Sequence, residues 1–286
     1  MPRLVRKWGC EGHAQGQFDR PEGVAVHPIL DMVIVCDSDN HRIQCFQKDG
    51  TPLRQWGSQR GKGDGQFSYP RGVCIHPTKN VVFIADGGNH RIQMMDSNGV
   101  FLGKWGSKGK DNGQFDGPYG VAVHPTQDIV SVTDYWNHRV QVFTLEGRFV
   151  RKWGTQGTAD GQFDCPFGIA VHPSRDIIFV SDSYNHRIQS FRSDGTFLFR
   201  WGSQGNAPGQ FDFPRHLTLH PTRSLLLVAD RGNHRIQMFD LEGKFLSQWG
   251  ANEKELESPV GLAVDPSRDE VYITDSGYHR VTVLSL

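Results

Sequence analysis

The stretch Gly113-Gln-Phe-Asp-Gly-Pro-Tyr-Gly-Val-Ala-Val-His124, followed after a hydrophobic run by Asp134-Tyr-Trp-Asn-His-Arg-Val-Gln141, is one of six copies of a single pattern. Successive copies are 45 to 49 residues apart when measured at their shared arginine. A repeat of this length predicts one repetitive architecture, and we expect a single domain over residues 1–286. The shared arginine stands at Arg42, Arg91, Arg139, Arg187, Arg235 and Arg280.

Each copy contains four short hydrophobic runs separated by turn-forming residues. In the third copy the predicted strands are Gly120–His124, Ile129–Thr133, Arg139–Phe143 and Phe149–Trp153. Four antiparallel strands per unit are typical of a propeller blade, and six units lie within the usual range of four to eight. The sequence therefore predicts an all-β fold, a six-bladed β-propeller of four-stranded antiparallel blades.

The two ends of the sequence complement each other. The sixth copy stops after its third strand, whereas the chain begins with Leu4-Val-Arg-Lys-Trp-Gly9, which matches the fourth strand of the other copies. An unpaired edge strand is a liability that closed folds avoid. We therefore predict that the N-terminal strand completes the last blade and closes the ring.

Three kinds of residue recur at fixed places and are interpreted as scaffold. An aspartate at the end of each second strand can accept hydrogen bonds from turn amides and pair with the nearby arginine. The asparagine of Asn-His-Arg suits a left-handed turn conformation. A tryptophan closes each fourth strand, and we expect it to pack between blades. The tryptophans are Trp8, Trp56, Trp105, Trp153, Trp201 and Trp249, and the aspartates are Asp37, Asp86, Asp134, Asp182, Asp230 and Asp275.

Histidines at the end of the first strands suggest a metal site, but the geometry of a ring argues against it. Equivalent positions on different blades diverge, whereas zinc needs ligands that converge at about 2 Å. We interpret these histidines as turn residues and expect no metal and no cofactor. They are His27, His76, His124, His172 and His220, with Asp265 in the sixth place.

Composition excludes some partners and leaves others open. Lys+Arg and Asp+Glu both number 31, so net charge provides no general attraction to nucleic acid or membrane. Five cysteines without a CxxC pair favour free thiols in a reducing compartment. No stretch is long and apolar enough to span a bilayer. We expect no membrane association and a cytoplasmic protein.

The phrase Asn-His-Arg-Ile-Gln at Asn40, Asn89, Asn185 and Asn233, together with Gly-Gln-Phe-Asp-x-Pro-x-Gly-Val, resembles the NHL repeat. The resemblance covers nearly the whole chain. The chain is similar to the C-terminal NHL domains of tripartite-motif ubiquitin ligases. It implies a propeller that binds RNA or protein partners with one face. The chain has no RING, B-box or coiled-coil segment, so we expect only the NHL part, or a stand-alone version.

The copies differ mainly at the variable positions of x-Pro-x-Gly and Asp-x-x-Asn. Strand alternation places both segments at the same end of the blades, mostly near the central channel. Aromatic residues and arginines dominate these positions in copies two to five. The candidate binding face consists of Arg20, Tyr69, Arg71, Tyr119, Tyr135, Trp136, Phe167, Tyr184, Phe213, Arg215, Arg231 and Tyr278.

Two functions fit this face. Tyr69, Tyr119, Phe167 and Tyr184 would stack on unpaired bases and the arginines would contact phosphates, in a module for post-transcriptional regulation that recognises a short single-stranded or stem-loop RNA. The same residue types anchor protein interfaces, so the alternative is a protein-binding platform such as the substrate-recruiting domain of a ubiquitin ligase. Drift among the copies would also produce variation at these positions.

We expect no catalytic residues. The peptidyl-amidoglycolate lyases are similar propellers, and the resemblance implies zinc-binding histidines near Pro-x-Gly in that family. In this chain the second variable position of x-Pro-x-Gly is never histidine, and His216 stands alone one residue along, so that site cannot be built. The residues at this position are Glu22, Arg71, Tyr119, Phe167, Arg215 and Val260.

Overall fold

The computed structural model describes residues 2–57, 59–124, 126–250 and 255–286. These residues form 24 strands and four short 3-10 helices at Gly87–Asn89, Tyr135–Asn137, Ser183–Asn185 and Arg231–Asn233. None of the helices is long and apolar enough to cross a membrane. In chain order, strands β1 to β24 are Arg3–Trp8, Pro21–Val26, Val33–Asp37, Arg42–Phe46, Pro52–Trp56, Pro70–Ile75, Val82–Asp86, Arg91–Met95, Phe101–Trp105, Pro118–His124, Ile129–Asp134, Arg139–Thr144, Phe149–Trp153, Pro166–Val171, Ile178–Asp182, Arg187–Phe191, Phe197–Trp201, Pro214–His220, Leu225–Asp230, Arg235–Phe239, Phe245–Trp249, Pro259–Asp265, Glu270–Asp275 and Arg280–Ser285.

The strands form six antiparallel four-stranded sheets, which confirms the predicted propeller. Blades 1 to 5 are β2–β5, β6–β9, β10–β13, β14–β17 and β18–β21, and blade 6 has the order β1-β24-β23-β22. The first strand of each blade contacts the first strand of the next, and β22 contacts β2. The six first strands therefore surround a central channel. The predicted strands of the third copy are each within two residues of the observed ones.

A buried polar cluster marks the joint between blades 6 and 1, where the N-terminal strand β1 pairs with β24 as predicted. The Arg6 guanidinium donates two hydrogen bonds to Glu270, at 2.8 and 2.6 Å, and a third to the Tyr272 hydroxyl. Its Nε also donates to the Lys48 carbonyl of blade 1, while Lys48 Nζ lies 2.8 Å from Asp265. Ring closure is therefore held by charged contacts as well as by strand pairing.

A buried aspartate at the end of each second strand organises the turn that follows. In blade 1, Asp37 accepts hydrogen bonds from the Asp19 backbone N–H and from the Asn40, Arg42 and Gln44 side chains, at 2.7 to 3.1 Å. Burial raises the pKa of all six carboxyls, and these donors oppose that rise. The predicted pairing of Asp with Arg is confirmed in every blade, with 2.6 to 3.2 Å between Arg Nε and the carboxylate.

The prediction that the asparagine is left-handed was wrong, because the histidine after it takes that conformation. His41 has a φ of 55°, and its equivalents have φ between 50° and 53°. The asparagine side chain instead bridges the aspartate and a carbonyl of the preceding loop, as Asn40 Nδ2 does with Gly12. Asn and His both tolerate positive φ better than most residues, so local preference did not separate them.

The left-handed turn aims each of these histidines at the next blade. The Nδ1 of each histidine accepts a hydrogen bond from the backbone N–H of the residue before the next blade's Pro-x-Gly, at 3.1 to 3.2 Å. The six bonds close around the ring, since His279 of blade 6 bonds Arg20 of blade 1. An Nδ1 that accepts a hydrogen bond carries no proton, so each imidazole is held as the Nε2–H tautomer. The six histidines are His41, His90, His138, His186, His234 and His279.

The remaining contacts between blades confirm the expected packing roles. Each of the first five tryptophans lies against the glycine of the turn before the next blade's fourth strand, as Trp8 does with Gly50. His27 accepts the backbone N–H groups of Ile29 and Leu30, so it is a turn residue as predicted. All five cysteines are free thiols, as expected.

We predict that Arg6→Met lowers the free energy of unfolding by about 2–3 kcal/mol. Removing one partner of a fully buried pair costs about 3–5 kcal/mol, and the partial exposure of this pair, 21% for Arg6 and 11% for Glu270, reduces the loss. Urea denaturation of the variant and of the wild type measures this difference in the free energy of unfolding. Arg3→Met on the same strand, where the side chain is exposed, is the control. Equal losses in the two variants would contradict a special role for the Arg6 cluster.

We also predict that long-range ¹H–¹⁵N NMR at neutral pH finds Nδ1 unprotonated in all six of these histidines. Burial lowers the pKa of His41 and His90 below the ordinary 6.5. Their bonds therefore stabilise the fold fully above pH 6.5 and lose this contribution as the pH falls through the folded-state pKa. Observation of the Nδ1–H tautomer, or of a raised pKa for His90, would overturn this assignment.

Candidate functional site at the channel mouth

One end of the channel opens into a cavity of about 650 Å³, which we call the channel mouth. Eight of the twelve candidate residues line it, namely Arg20, Tyr69, Arg71, Tyr119, Tyr135, Phe167, Arg215 and Arg231. Sequence reasoning did not include the other lining residues among the candidates. His279 belongs to a repeated scaffold phrase, and the others are acidic, small or aliphatic. These residues are Glu22, Asp39, Ser258, Val260, Ser276, Gly277 and His279.

The local backbone explains why these side chains meet. The residue before each Pro is left-handed, with φ of 48° to 69°, and its N–H is held by the histidine of the preceding blade. The glycine of Pro-x-Gly then allows neighbouring first strands to approach closely, since a Cβ on Gly72 would lie 2.3 Å from the Tyr119 carbonyl oxygen. The intervening x residue is therefore held at the rim of the channel in each blade.

An aromatic cluster forms one wall of the mouth. Tyr119 stacks on Tyr135, with ring centroids 4.4 Å apart and planes at 26°, and lies 4.8 Å from Phe167. Phe167 and Tyr135 are only 2% and 4% exposed, whereas Tyr119 is half-buried. The expectation that Phe167 stacks on a ligand base does not fit this burial. Phe167 and Tyr135 instead support Tyr119, whose hydroxyl pKa is raised by burial.

Arg71 is held by its neighbours rather than projecting freely. It forms an ion pair with Glu22 of the adjacent blade, and its guanidinium lies over the rings of Tyr69 and Tyr119 at 5.5 and 5.1 Å from their centroids. Arg71 therefore orders the two tyrosines. Glu22 and Arg71 are 49 residues apart in sequence, so this ion pair is recognised only from the fold.

Arg215 and Arg231 differ from Arg71, because neither forms an ion pair within residues 2–57, 59–124, 126–250 and 255–286. Arg215 lies over the Phe167 ring at 4.4 Å from its centroid. Burial lowers the pKa of Arg231, and the charge of Arg215 lowers it further. Two like charges held together at a partly buried site favour an anion between them. Arg20, at the exposed rim, lies 3.7 Å from Asp39.

Four candidate residues lie outside the mouth. Trp136 and Tyr184 are 54% and 45% exposed and each lines its own peripheral groove. Phe213 packs between Tyr184 and His186. Tyr278 lies under the Arg280 guanidinium at 4.3 Å. Trp136 and Tyr184 both occupy the second variable position of Asp-x-x-Asn, whereas Asp39 at the same position in blade 1 lines the mouth.

A second cavity of about 320 Å³ lies in the channel and is lined mostly by residues of the first strands. His216, which replaces the glycine of Pro-x-Gly in blade 5, lines this cavity and packs edge-on against Phe167. Burial, assisted by the charge of Arg215, lowers its pKa to about 4. His216 is therefore neutral near pH 7 and adds no charge to the channel.

Among the described residues, one trio of metal-type side chains lies close together, formed by His138, Asp164 and Cys165. His138 Nδ1 already accepts the Cys165 backbone N–H at 3.1 Å, as in every other blade. Burial also raises the pKa of the Cys165 thiol to about 12, which disfavours the thiolate that a metal requires. The repeated hydrogen bond between blades therefore accounts for the closeness of these three side chains.

Comparison with known families agrees with the repeat pattern. The NHL repeat profile matches residues 18–46, 67–94, 115–143 and 256–284, and a family described as a 6-bladed beta-propeller matches residues 161–252. Similar stretches occur in Protein brain tumor of Drosophila melanogaster, 49% identical over 51 residues, and in B-box type zinc finger protein ncl-1 of Caenorhabditis elegans, 50% identical over 44 residues. These stretches are 18% and 15% of this chain and 5% of each relative.

Solved structures show the same fold at low sequence identity. A chain of a nidogen/laminin complex has a TM-score of 0.68 at 15% identity, with 88% of both chains covered. The gluconolactonase XC5397 of Xanthomonas campestris has a TM-score of 0.70 at 16% identity, with 94% of this chain and 87% of that chain covered. Likeness at this level establishes architecture alone. The chain contains NHL repeats and has the fold of a six-bladed β-propeller.

Proposed function

We propose that the protein is a non-enzymatic binding module whose channel mouth recognises a short single-stranded or looped RNA element. The observation that carries the proposal is the pair Arg215 and Arg231, which lies beside the aromatic wall and has no ion-pair partner in the described part of the chain. RNA presents the matching chemistry, namely phosphates for the guanidinium groups and unpaired bases for aromatic faces.

The charge of the mouth supports an anionic ligand although the whole chain is neutral. Four arginines face the cavity, against the carboxylates Glu22 and Asp39. Each carboxylate lies beside an arginine other than Arg215 and Arg231. A local excess of positive charge in a cavity with low-dielectric walls attracts an anion more strongly than an open surface does. Tyr119 and Tyr69 line the same cavity, and both half-buried rings lie against the Arg71 guanidinium.

We also propose that the protein acts in the cytoplasm, where its five free thiols would remain reduced. The alternative partner is a protein, which the exposed rings of Trp136 and Tyr184 would suit as interface anchors. RNA is preferred because an interface with a protein would have to bury the two unpaired guanidinium groups against carboxylates of matching geometry.

The proposal predicts that Arg215→Ala/Arg231→Ala weakens binding of a fluorescent random-sequence RNA pool about tenfold or more, measured by fluorescence anisotropy. Loss of two phosphate contacts should also reduce the slope of log K against log salt by about 1.4. Arg54→Ala/Arg148→Ala is the matched control, because it removes the same charge from exposed outer positions. Thermal melts establish that both variants are folded.

Equal RNA affinity in the wild type and in both double variants would contradict RNA binding at the mouth. The protein alternative would then be favoured by a partner whose capture depends on Tyr119 or Arg215 and changes little with salt. Absence of any RNA binding by the wild type would reject the RNA proposal as a whole.

A further inference from the structure

Trp136 lies in a groove on blade 3 that is separate from the channel mouth. The groove has a volume of about 390 Å³, and its charged side chains include Lys110, Arg139 and Lys152. Arg139 forms an ion pair with Asp134, whereas neither lysine forms an ion pair within the described residues. The groove therefore combines an exposed indole with two available ammonium groups.

Lys152 lacks an ion pair that the equivalent residues of both neighbouring blades form. The basic residue before the fourth-strand tryptophan is paired in blade 2, where Lys104 Nζ lies 2.5 Å from Asp64, and in blade 4, where Arg200 Nε lies 3.0 Å from Asp160. Both aspartates directly precede Gly-Gln-Phe, and in blade 3 that position holds Asn112. An amide cannot neutralise an ammonium group, so Lys152 keeps its full charge for a ligand.

Two further features of blade 3 present the Trp136 ring. Gly117 occupies a position where the other blades carry larger residues, and a Cβ there would lie 3.1 Å from Trp136 Cδ1. Tyr135 supports the indole from the side, with centroids 4.8 Å apart and planes at 88°. The ring is thus held in place while 54% of the residue stays exposed.

We infer that this groove binds one nucleotide of a single RNA strand that continues outward from the channel mouth, with its base on Trp136 and its phosphate between Lys110 and Lys152. Tyr135, which is buried, packs against both Tyr119 in the mouth and Trp136 in the groove, so one aromatic cluster connects the two sites. A nucleotide supplies a flat base and an anionic phosphate in one unit, which matches an exposed indole beside two ammonium groups. The inference rests on the proposed function, because the strand is the one bound at the mouth.

The decisive variant is Asn112→Asp, which recreates the ion pair of blades 2 and 4 at Lys152 without removing a side chain from the groove. We expect it to weaken binding of the random-sequence RNA pool about threefold or more, and Trp136→Ala about fivefold or more. Gln15→Asp is the matched control, since it places the same charge at the same repeat position in blade 1. It should leave affinity unchanged within about twofold, and melting curves verify that all three variants fold.

The outcomes separate this inference from the proposed function. If RNA binding is lost in Arg215→Ala/Arg231→Ala while Asn112→Asp and Trp136→Ala match Gln15→Asp, the groove is not part of the RNA path and only this inference fails. If the wild type binds no RNA, both fail. If polyglutamate rather than RNA binds with the same sensitivity to Asn112→Asp, the groove is a docking site for acidic protein segments and the nucleotide assignment is overturned.

Discussion

The buried ion pair between the aspartate that ends each second strand and the arginine of Asn-His-Arg is the interaction on which the rest of the structure depends. In blade 1 the guanidinium of Arg42 bonds Asp37 and also donates to the carbonyls of His13, Ala14 and Gln17 in the loop that leads into the blade. One pair thus fixes the turn, the strand and the loop together. Removing one member would leave a buried charge, at a cost of about 3–5 kcal/mol.

This pair also determines the position of the candidate binding surface. Because it fixes the Asp-x-x-Asn turn, the following histidine is left-handed and reaches the next blade, where it holds the residue before Pro-x-Gly. The first strands can then approach to the distance that only glycine allows at Gly72. The x residues are placed at the rim by contacts that do not involve their own side chains. Their side chains are therefore free to differ without loss of the fold.

The joint between blades 6 and 1 is built differently from the others, and the difference has a physical cause. All five other blades have Ser or Leu at the place of Lys48, and the same number have a turn histidine at the place of Asp265. At the closing joint these positions form a buried ion pair, beside the Arg6–Glu270 pair. Ring closure joins residues 264 apart in sequence, so it has a larger entropic cost than pairing within a blade. Charged contacts at this joint favour the correct pairing of the two ends.

The sequence by itself determined the number of blades, their strands, the closing role of the N-terminal strand and the roles of the repeated Asp, Arg and Trp. These features follow from local periodicity and from repetition, both of which can be read directly from the amino-acid sequence. Only the tertiary structure decided which variable residues line the channel mouth. It placed Phe167 and Tyr135 beneath Tyr119, paired Arg71 with Glu22, and separated Trp136 from the mouth. Burial and pairing between blades depend on contacts between residues distant in sequence, so equivalent positions in a repeat do not have equivalent surroundings.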